Sequence, residues 1–177
     1  MLGRTICRIL GGRFEIIPTD LPEADITDLN GFSAVLKKYS PDAVIHCAAM
    51  TAVDKCETEQ ALAYKLNEQG TANVAMACKN ATCRLLAIST DYVFGGFADH
   101  AYTEYDTANG GATVYGKSKF AGEEAIRRIY PENSAICRVS WLYGFGGPSF
   151  VHTMLKLADG TRPVLKVVSD QIGNPTS

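Results

Sequence analysis

Tyr115 and Lys119 stand four residues apart in "VYGKSK". On a helix that spacing puts both side chains on one face. A free phenol titrates near pH ~10, too high to give up a proton readily at neutrality. A neighbouring ammonium stabilises the phenolate, so the pairing predicts a lowered tyrosine pKa and a usable general acid. The same lysine could hold a sugar hydroxyl of a bound cofactor. Eight tyrosines and nine lysines in 177 residues produce about 0.4 such spacings by chance, so a plain solvent-exposed pair is an open alternative. Upstream, "STDYVFGG" gathers hydroxyls at Ser89, Thr90 and Tyr92 around the Asp91 carboxylate. That cluster suits a site, or simply a capped turn. Earlier still, "CAAMTAVDKCE" places small Ala48 and Ala49 where a flat ligand could lie against the backbone, or where two elements pack closely.

These residues need a scaffold. "MLGRTICRILGG" predicts a helix from Leu2, with apolar residues at helical spacing and the Gly11-Gly12 pair ending it. "RFEIIPTD" predicts a short strand, and "LNGFSAVLKKYS" a helix capped by Asp28. "DAVIHCAA" and "CRLLAIST" are apolar runs of the kind found in strands covered on both faces, flanking a long helical stretch, "ETEQALAYKLNEQGTANVAMACKN". A polar, glycine-marked loop over residues 91–111 precedes the helix "TVYGKSKFAGEEAIRRIY". Then come a strand in "SAICRVS", a helix in "SFVHTMLKLADG" and a last strand in "PVLKVVSD". Alternating strands and helices imply an α/β fold, a doubly wound parallel sheet with helices on both faces. Ligands of such sheets bind beyond the carboxyl ends of the strands, which singles out the loops after Ala49, Thr90 and Ser140.

Composition narrows the function. With 46% hydrophobic and 20% charged residues the chain is globular in character, and no linker divides its 177 residues, so one domain is expected. A net charge of -2 with scattered Lys and Arg gives no basic face for nucleic acid. No apolar run is long enough for a bilayer and no signal-peptide pattern opens the chain, so no membrane partner and a cytoplasmic location are expected. The six cysteines show no Cys-x-x-Cys pair and several sit in apolar segments, which predicts buried, reduced thiols. His46, His100 and His152 are isolated, and no metal site is expected from them.

The strand-end hydroxyl followed by Tyr-x-x-x-Lys on the next helix resembles the extended branch of the short-chain dehydrogenase/reductase superfamily. Within it the chain is most similar to the dTDP-4-dehydrorhamnose reductase family. The resemblance is carried by "PDAVIHCAAMTAVDKCE", "LLAISTDYVFGG", "YTEYD", "VYGKSKFAGEEAI", "CRVSWLYGFGG" and "SDQIGNPTS", and runs from residue 2 nearly to the end. It implies a Rossmann-like NAD(P)-binding domain that uses NADPH or NADH to reduce the C4 ketone of a nucleotide sugar, dTDP-4-dehydro-L-rhamnose. Thr90 would polarise the carbonyl, Tyr115 deliver the proton, and Lys119 lower the tyrosine pKa and bind the nicotinamide ribose. Asp91, Tyr92 and Trp141 would shape the substrate site, with Thr51 and Val53 lining the same cleft. On the cofactor side the resemblance implies Gly3, Asp20, the Asp25-Ile26 pair, Ala48, Ala49 and Thr51. Asn67, in "KLNEQGT", matches an asparagine found in relatives, with a role limited to adjusting its helix. Asp20 leans toward NADH, since a carboxylate repels a 2′-phosphate. A homodimer, and magnesium, are implied by resemblance alone.

The chain departs from that family in three places. The family's first strand and glycine turn, which receive the pyrophosphate, are represented only by Gly3, the turn's last glycine. Relatives also continue past "NPTS" into a substrate-binding lobe. An incomplete domain with impaired cofactor binding is therefore the expectation. "NGGATVYG" lacks the proline that relatives show before the tyrosine. Two other readings share the fold: a non-catalytic subunit, as in relatives that regulate methionine adenosyltransferase, and a nucleotide-sugar epimerase or dehydratase.

Overall fold

The computed structural model describes residues 1–161 and 164–177. These form two compact units, one of Met1–Pro18 with Val139–Ser177, the other of Thr19–Arg138.

The larger unit carries the sheet. Asp28 ends an extended segment, and its carboxylate accepts hydrogen bonds from Asn30 N and Gly31 N at 3.0 and 3.1 Å, starting helix α2 (Leu29–Tyr39) as expected of an N-cap. Strand β1 (Ala43–His46) lies parallel to β2 (Arg84–Thr90), with Val44 opposite Leu85 and His46 opposite Ala87. Strand β3 (Ser134–Val139) flanks β2 on its other side. Between β1 and β2 the chain runs through α3 (Val53–Thr58), α4 (Gln60–Tyr64), a π-helical turn (Lys65–Gly70) and α5 (Thr71–Ala81). A 3₁₀ turn over Asp91–Val93 follows β2, and α6 (Val114–Ile129) leads back to β3. Phe32 and Leu36 of α2, Val74 and Cys78 of α5, Leu85 and Ala87 of β2, and Ile126 of α6 close one core. These side chains are nearly water-free, and burying each of Phe32, Leu36, Val74, Leu85 and Ile126 contributes roughly 1.5–3 kcal/mol before entropy is counted.

The smaller unit holds α1 (Leu2–Leu10) and α7 (Phe150–Leu157), the latter capped by Ser149, whose Oγ accepts from His152 N at 3.3 Å. Two ladder-like bonds, Tyr143 N to Thr176 O and Thr176 N to Ser140 O, at 2.9 and 3.0 Å, tie the start of its Val139–Ser177 segment to that segment's end.

Four expectations are corrected. No strand forms in residues 13–20: residues 15–20 have no regular structure, because a strand exists only where its amides find a ladder. Residues 164–170 likewise form no strand, and Val164, Val167 and Val168 are exposed; Pro163 lies outside the described residues. The helix expected over residues 57–80 is broken into α3, α4, the π-helical turn and α5. None of the six cysteines is in a disulfide, all six lying among the described residues, but only Cys56, Cys78 and Cys83 are buried; Cys137 is exposed.

Candidate active site

The site grows from the end of β2. Thr90 is extended and buried, and its Oγ1 accepts from Tyr92 N at 3.3 Å, turning the chain sharply out of the sheet. The same hydroxyl donates to Asp91 Oδ1 at 3.1 Å. Opposite it, the start of α6 is pinned twice. Thr113 Oγ1 accepts from Gly116 N at 3.0 Å, and Glu57 of α3 accepts from Val114 N at 2.8 Å. Tyr115 sits in this first turn, its ring meeting Tyr92 edge-on at 5.5 Å. Gly116 makes the approach possible, since any β-carbon there would collide with the Tyr92 carbonyl. One turn on, Lys119 is 7% exposed and donates from Nζ to the Ile88 carbonyl at 2.8 Å.

Burial pushes the Tyr115 phenol above its ordinary pKa; the Thr90 hydroxyl bonded to it pulls the other way, and the Asp91 carboxylate adds to the rise. The lowering expected from Lys119 is therefore not present. Desolvation is the larger effect here, and the Lys119 ammonium is turned to a backbone carbonyl. Burial in turn drives Lys119 down to about 8, with Glu123 and then Cys47 holding it up. At neutral pH the site thus contains a neutral phenol and, one turn away, a buried ammonium.

Asn67 does more than adjust its helix. Within the π-helical turn it is 1% exposed, its Oδ1 accepting from Met50 N at 2.8 Å and its Nδ2 donating to Met50 O at 3.1 Å and Ser118 Oγ at 3.0 Å. It clasps the loop after β1 to the face of α6 beside Lys119. Gly122 permits this, because a β-carbon there would collide with the Asn67 carbonyl. A π-helical turn is a register shift with no periodic signature, so Asn67 stood in the sequence as an ordinary mid-helix polar residue.

His46, at the end of β1, shares a 3.2 Å hydrogen bond with Thr71 Oγ1. Burial, then the Lys119 charge, lowers it to about 3. Its folded pKa lies below the ordinary 6.5, so the unfolded chain binds the extra proton between those values. Stability from His46 is complete above about pH 6.5 and is lost as pH falls toward 3. His46→Gln, which keeps a partner for Thr71 but cannot charge, is expected to recover most of roughly 3 kcal/mol lost by pH 4. Urea melts of both proteins at pH 7 and pH 4 measure it; equal acid sensitivity would refute the assignment.

The remaining expected residues divide by unit. Ala48 and Thr51 are exposed and Ala49 and Val53 half-buried, just beyond β1 and so beside the end of β2 in the parallel pair. Asp20 is exposed, its carboxylate accepting from Leu21 N at 2.8 Å. Asp25 is turned inward on its own loop: Oδ1 accepts from Thr27 N and Oγ1, both at 2.8 Å. Ile26, next to it, has its side chain in the core, packed where a β-carbon on Gly70 would meet it. Gly3 and Trp141 belong to the smaller unit. Gly3 is the second residue of α1; Trp141 has a left-handed backbone (φ 46°), is 45% exposed and lies against Gly173. Thr90, Asp91, Tyr92, Tyr115 and Lys119 are the expected residues brought together. Among the described residues no group of three or more His, Cys, Asp or Glu side chains is placed to hold a metal ion, and nothing supports magnesium.

Parallel strands with a hydroxyl, a phenol and an ammonium at their carboxyl ends define a Rossmann-like α/β domain of the dehydrogenase/reductase kind. The family model described as RmlD substrate binding domain matches residues 1–177, and the chain belongs to that family. It is 42% identical to a dTDP-4-dehydrorhamnose reductase of Streptomyces griseus, over 99% of this chain and 58% of that protein. Identity to the spore coat polysaccharide biosynthesis protein SpsK of Bacillus subtilis is 43%, covering 99% of this chain and 61% of that one. Among solved structures, a dTDP-4-dehydrorhamnose reductase from Bacillus anthracis in complex with NADP superposes with a TM-score of 0.93 at 40% identity, over 99% of this chain and 62% of that chain. The chain therefore spans about 60% of the length of the relatives it matches.

Proposed function

We propose that the chain is the catalytic part of an NAD(P)H-dependent reductase acting on the C4 ketone of a dTDP-linked 4-dehydro-6-deoxy sugar, dTDP-4-dehydro-L-rhamnose. The observation that carries this reading is the cluster at the end of β2: Thr90 buried, Tyr115 half-buried in the first turn of α6 with its ring against Tyr92, and Lys119 buried a turn further along. The residues suit a dinucleotide: Ala48 leaves the backbone beyond β1 exposed, and Lys119 offers a buried cation to a ribose hydroxyl. Ala48, Ala49, Thr51, Tyr115 and Lys119 would hold the nicotinamide end, and Asp20 the adenosine ribose. Bound NAD(P)H supplies the hydride. Thr90 donates to the substrate carbonyl oxygen, released from Asp91, and Tyr115 delivers the proton that oxygen needs as it becomes an alcohol. Asp91 and Tyr92 line the sugar side, with Thr51 and Val53 on the loop after β1 beside them. The nucleotide-sugar substrate fits a cytoplasmic enzyme, and among the described residues no helix is long and apolar enough to cross a membrane.

Only Gly3 of the pyrophosphate-binding turn is matched here, so the chain alone is expected to bind NADPH and NADH more weakly than micromolar. Joining it to the flanking segments of the Streptomyces griseus relative should give a protein that oxidises NADPH only when dTDP-4-dehydro-L-rhamnose is present. Calorimetry on the chain and absorbance at the NADPH band on the fusion test the two parts. Micromolar binding by the chain refutes the first, and a folded fusion that binds NADPH yet leaves it unoxidised refutes the second.

A further inference from the structure

Glu123 lies four residues beyond Lys119, so the two share the buried face of α6. Glu123 is 2% exposed, deeper than the lysine. Between them runs a cavity of about 10 Å³, room for one water, lined also by His46, Thr71, Ser89 and Gly122. Ser89 Oγ is buried there beside Glu123 without a hydrogen bond of acceptable geometry.

The carboxylate is held from its far side. Arg138 of β3 donates from Nε to Oε1 at 2.9 Å and from a terminal nitrogen to Oε2 at 2.7 Å, and Arg127 reaches Oε2 at 2.8 Å. Arg127 also pairs with Glu124 at 2.6 Å, and the Arg138 guanidinium rests 4.8 Å over the Phe94 ring. Burying a carboxylate costs several kcal/mol, and a neutral or apolar residue of similar size is often as stable. A charge kept at that cost is accounted for if something beside it uses the charge.

We propose that Glu123 is a positioning residue for Lys119, its buried carboxylate, one turn along the same face of α6 and across a shared cavity, keeping the ammonium charged where it donates to the Ile88 carbonyl. The consequence for catalysis rests on the reductase reading; the electrostatic arrangement does not. The groups facing Lys119 are few. From α6 come Tyr115, neutral, Glu123 and, beyond it, Arg127; from β1 His46, neutral, and from the loop after it Cys47; from β2 the Ile88 carbonyl; from α5 the uncharged Thr71; and from β3 Arg138, beyond Glu123. Among the described residues Glu123 is thus the one carboxylate lining that cavity, and desolvation drives the ammonium toward neutrality unless it is opposed.

The test reads Lys119 itself. In the chain carrying ¹³Cε-labelled lysine, the Lys119 resonance, assigned by its loss in Lys119→Arg, is titrated by NMR. Glu123→Gln is expected to lower the Lys119 midpoint by about one pH unit, a tenfold smaller ratio of charged to neutral amine above it, and Glu123→Asp to stay near wild type. Arg138→Gln, which frees the carboxylate from its strongest partner, should raise the midpoint and serves if Glu123→Gln does not fold. An unshifted midpoint in a folded Glu123→Gln or Arg138→Gln protein overturns the proposal. Because the titration needs no ligand, absent reductase activity would count against the proposed function alone.

Discussion

Tyr115→Phe is expected to lower turnover of the dTDP-sugar ketone by 10²- to 10⁴-fold in the full-length fusion, with NADPH binding unchanged. The substitution removes one oxygen and leaves the ring, which keeps its edge-on contact with Tyr92. Thr90 is not orphaned, because Asp91 Oδ1 already accepts its hydroxyl. Melting should accordingly shift by less than about 1 kcal/mol, within the range of changes that disturb no buried partner. The pH profile adds a second check. Lys119 titrates at about 8, so wild-type turnover should fall above that pH as the ammonium is lost, while the phenol, raised by burial, stays protonated. A Phe variant retaining a tenth of wild-type kcat would refute Tyr115 as the acid.

What could be read in advance follows the range of the forces involved. Helices α1, α2 and α6 were legible because periodicity and a local cap act within a few residues; Asp28 and Thr113 do at their helix starts what their side chains predict. The buried strands β1 and β2 were legible as apolar runs. Residues 13–20 misled because apolar alternation states a preference, while a strand needs a neighbour whose position lies outside the window. The stretch 57–80 reads as one helix for a related reason. What breaks it is a need set elsewhere: Asn67 must face Met50 and Ser118, and the π-helical turn supplies that register. Ile26 was assigned by resemblance alone, as half of an Asp-Ile pair that flanks adenine; that its side chain packs in the core is a matter of tertiary contacts the sequence does not display. In the site, types and spacing located Thr90, Tyr115 and Lys119, but the sign of the tyrosine shift was misjudged. Spacing fixes which charges are neighbours; how much water is left around them comes from packing by α3, α5 and β1, distant in sequence.

Asn67→Ala is expected to cost about 3–4 kcal/mol, the largest loss of stability for any single polar side chain near the site. The carboxamide makes three hydrogen bonds in a place water does not reach, two of them to the Met50 amide and carbonyl. Deleting it leaves the Met50 amide buried and unpaired, at roughly 1–3 kcal/mol, and the Met50 carbonyl with only the weak Cys56 thiol at 3.8 Å, besides a small void. Ser118→Ala is the comparison. It removes the third bond, yet the Ser118 hydroxyl also has the Tyr115 carbonyl, at 2.9 Å, so its loss orphans fewer groups and should cost about 1 kcal/mol. In the double variant the losses should fall short of additive, since one hydrogen bond is counted in both. Thermal melts would show Asn67→Ala roughly 10 °C below wild type at 2–4 °C per kcal/mol for a chain of this size. The effect should also reach the chemistry. Met50 packs with Cys56, Val114 and Tyr115, so a loosened clasp frees the loop carrying Thr51 and the first turn of α6 together. Amide exchange at residues 50–53 and 114–116 should rise ahead of the α5 core. A loss under 1 kcal/mol, or exchange that rises evenly through the unit, would mean that packing alone holds the loop and the asparagine is incidental.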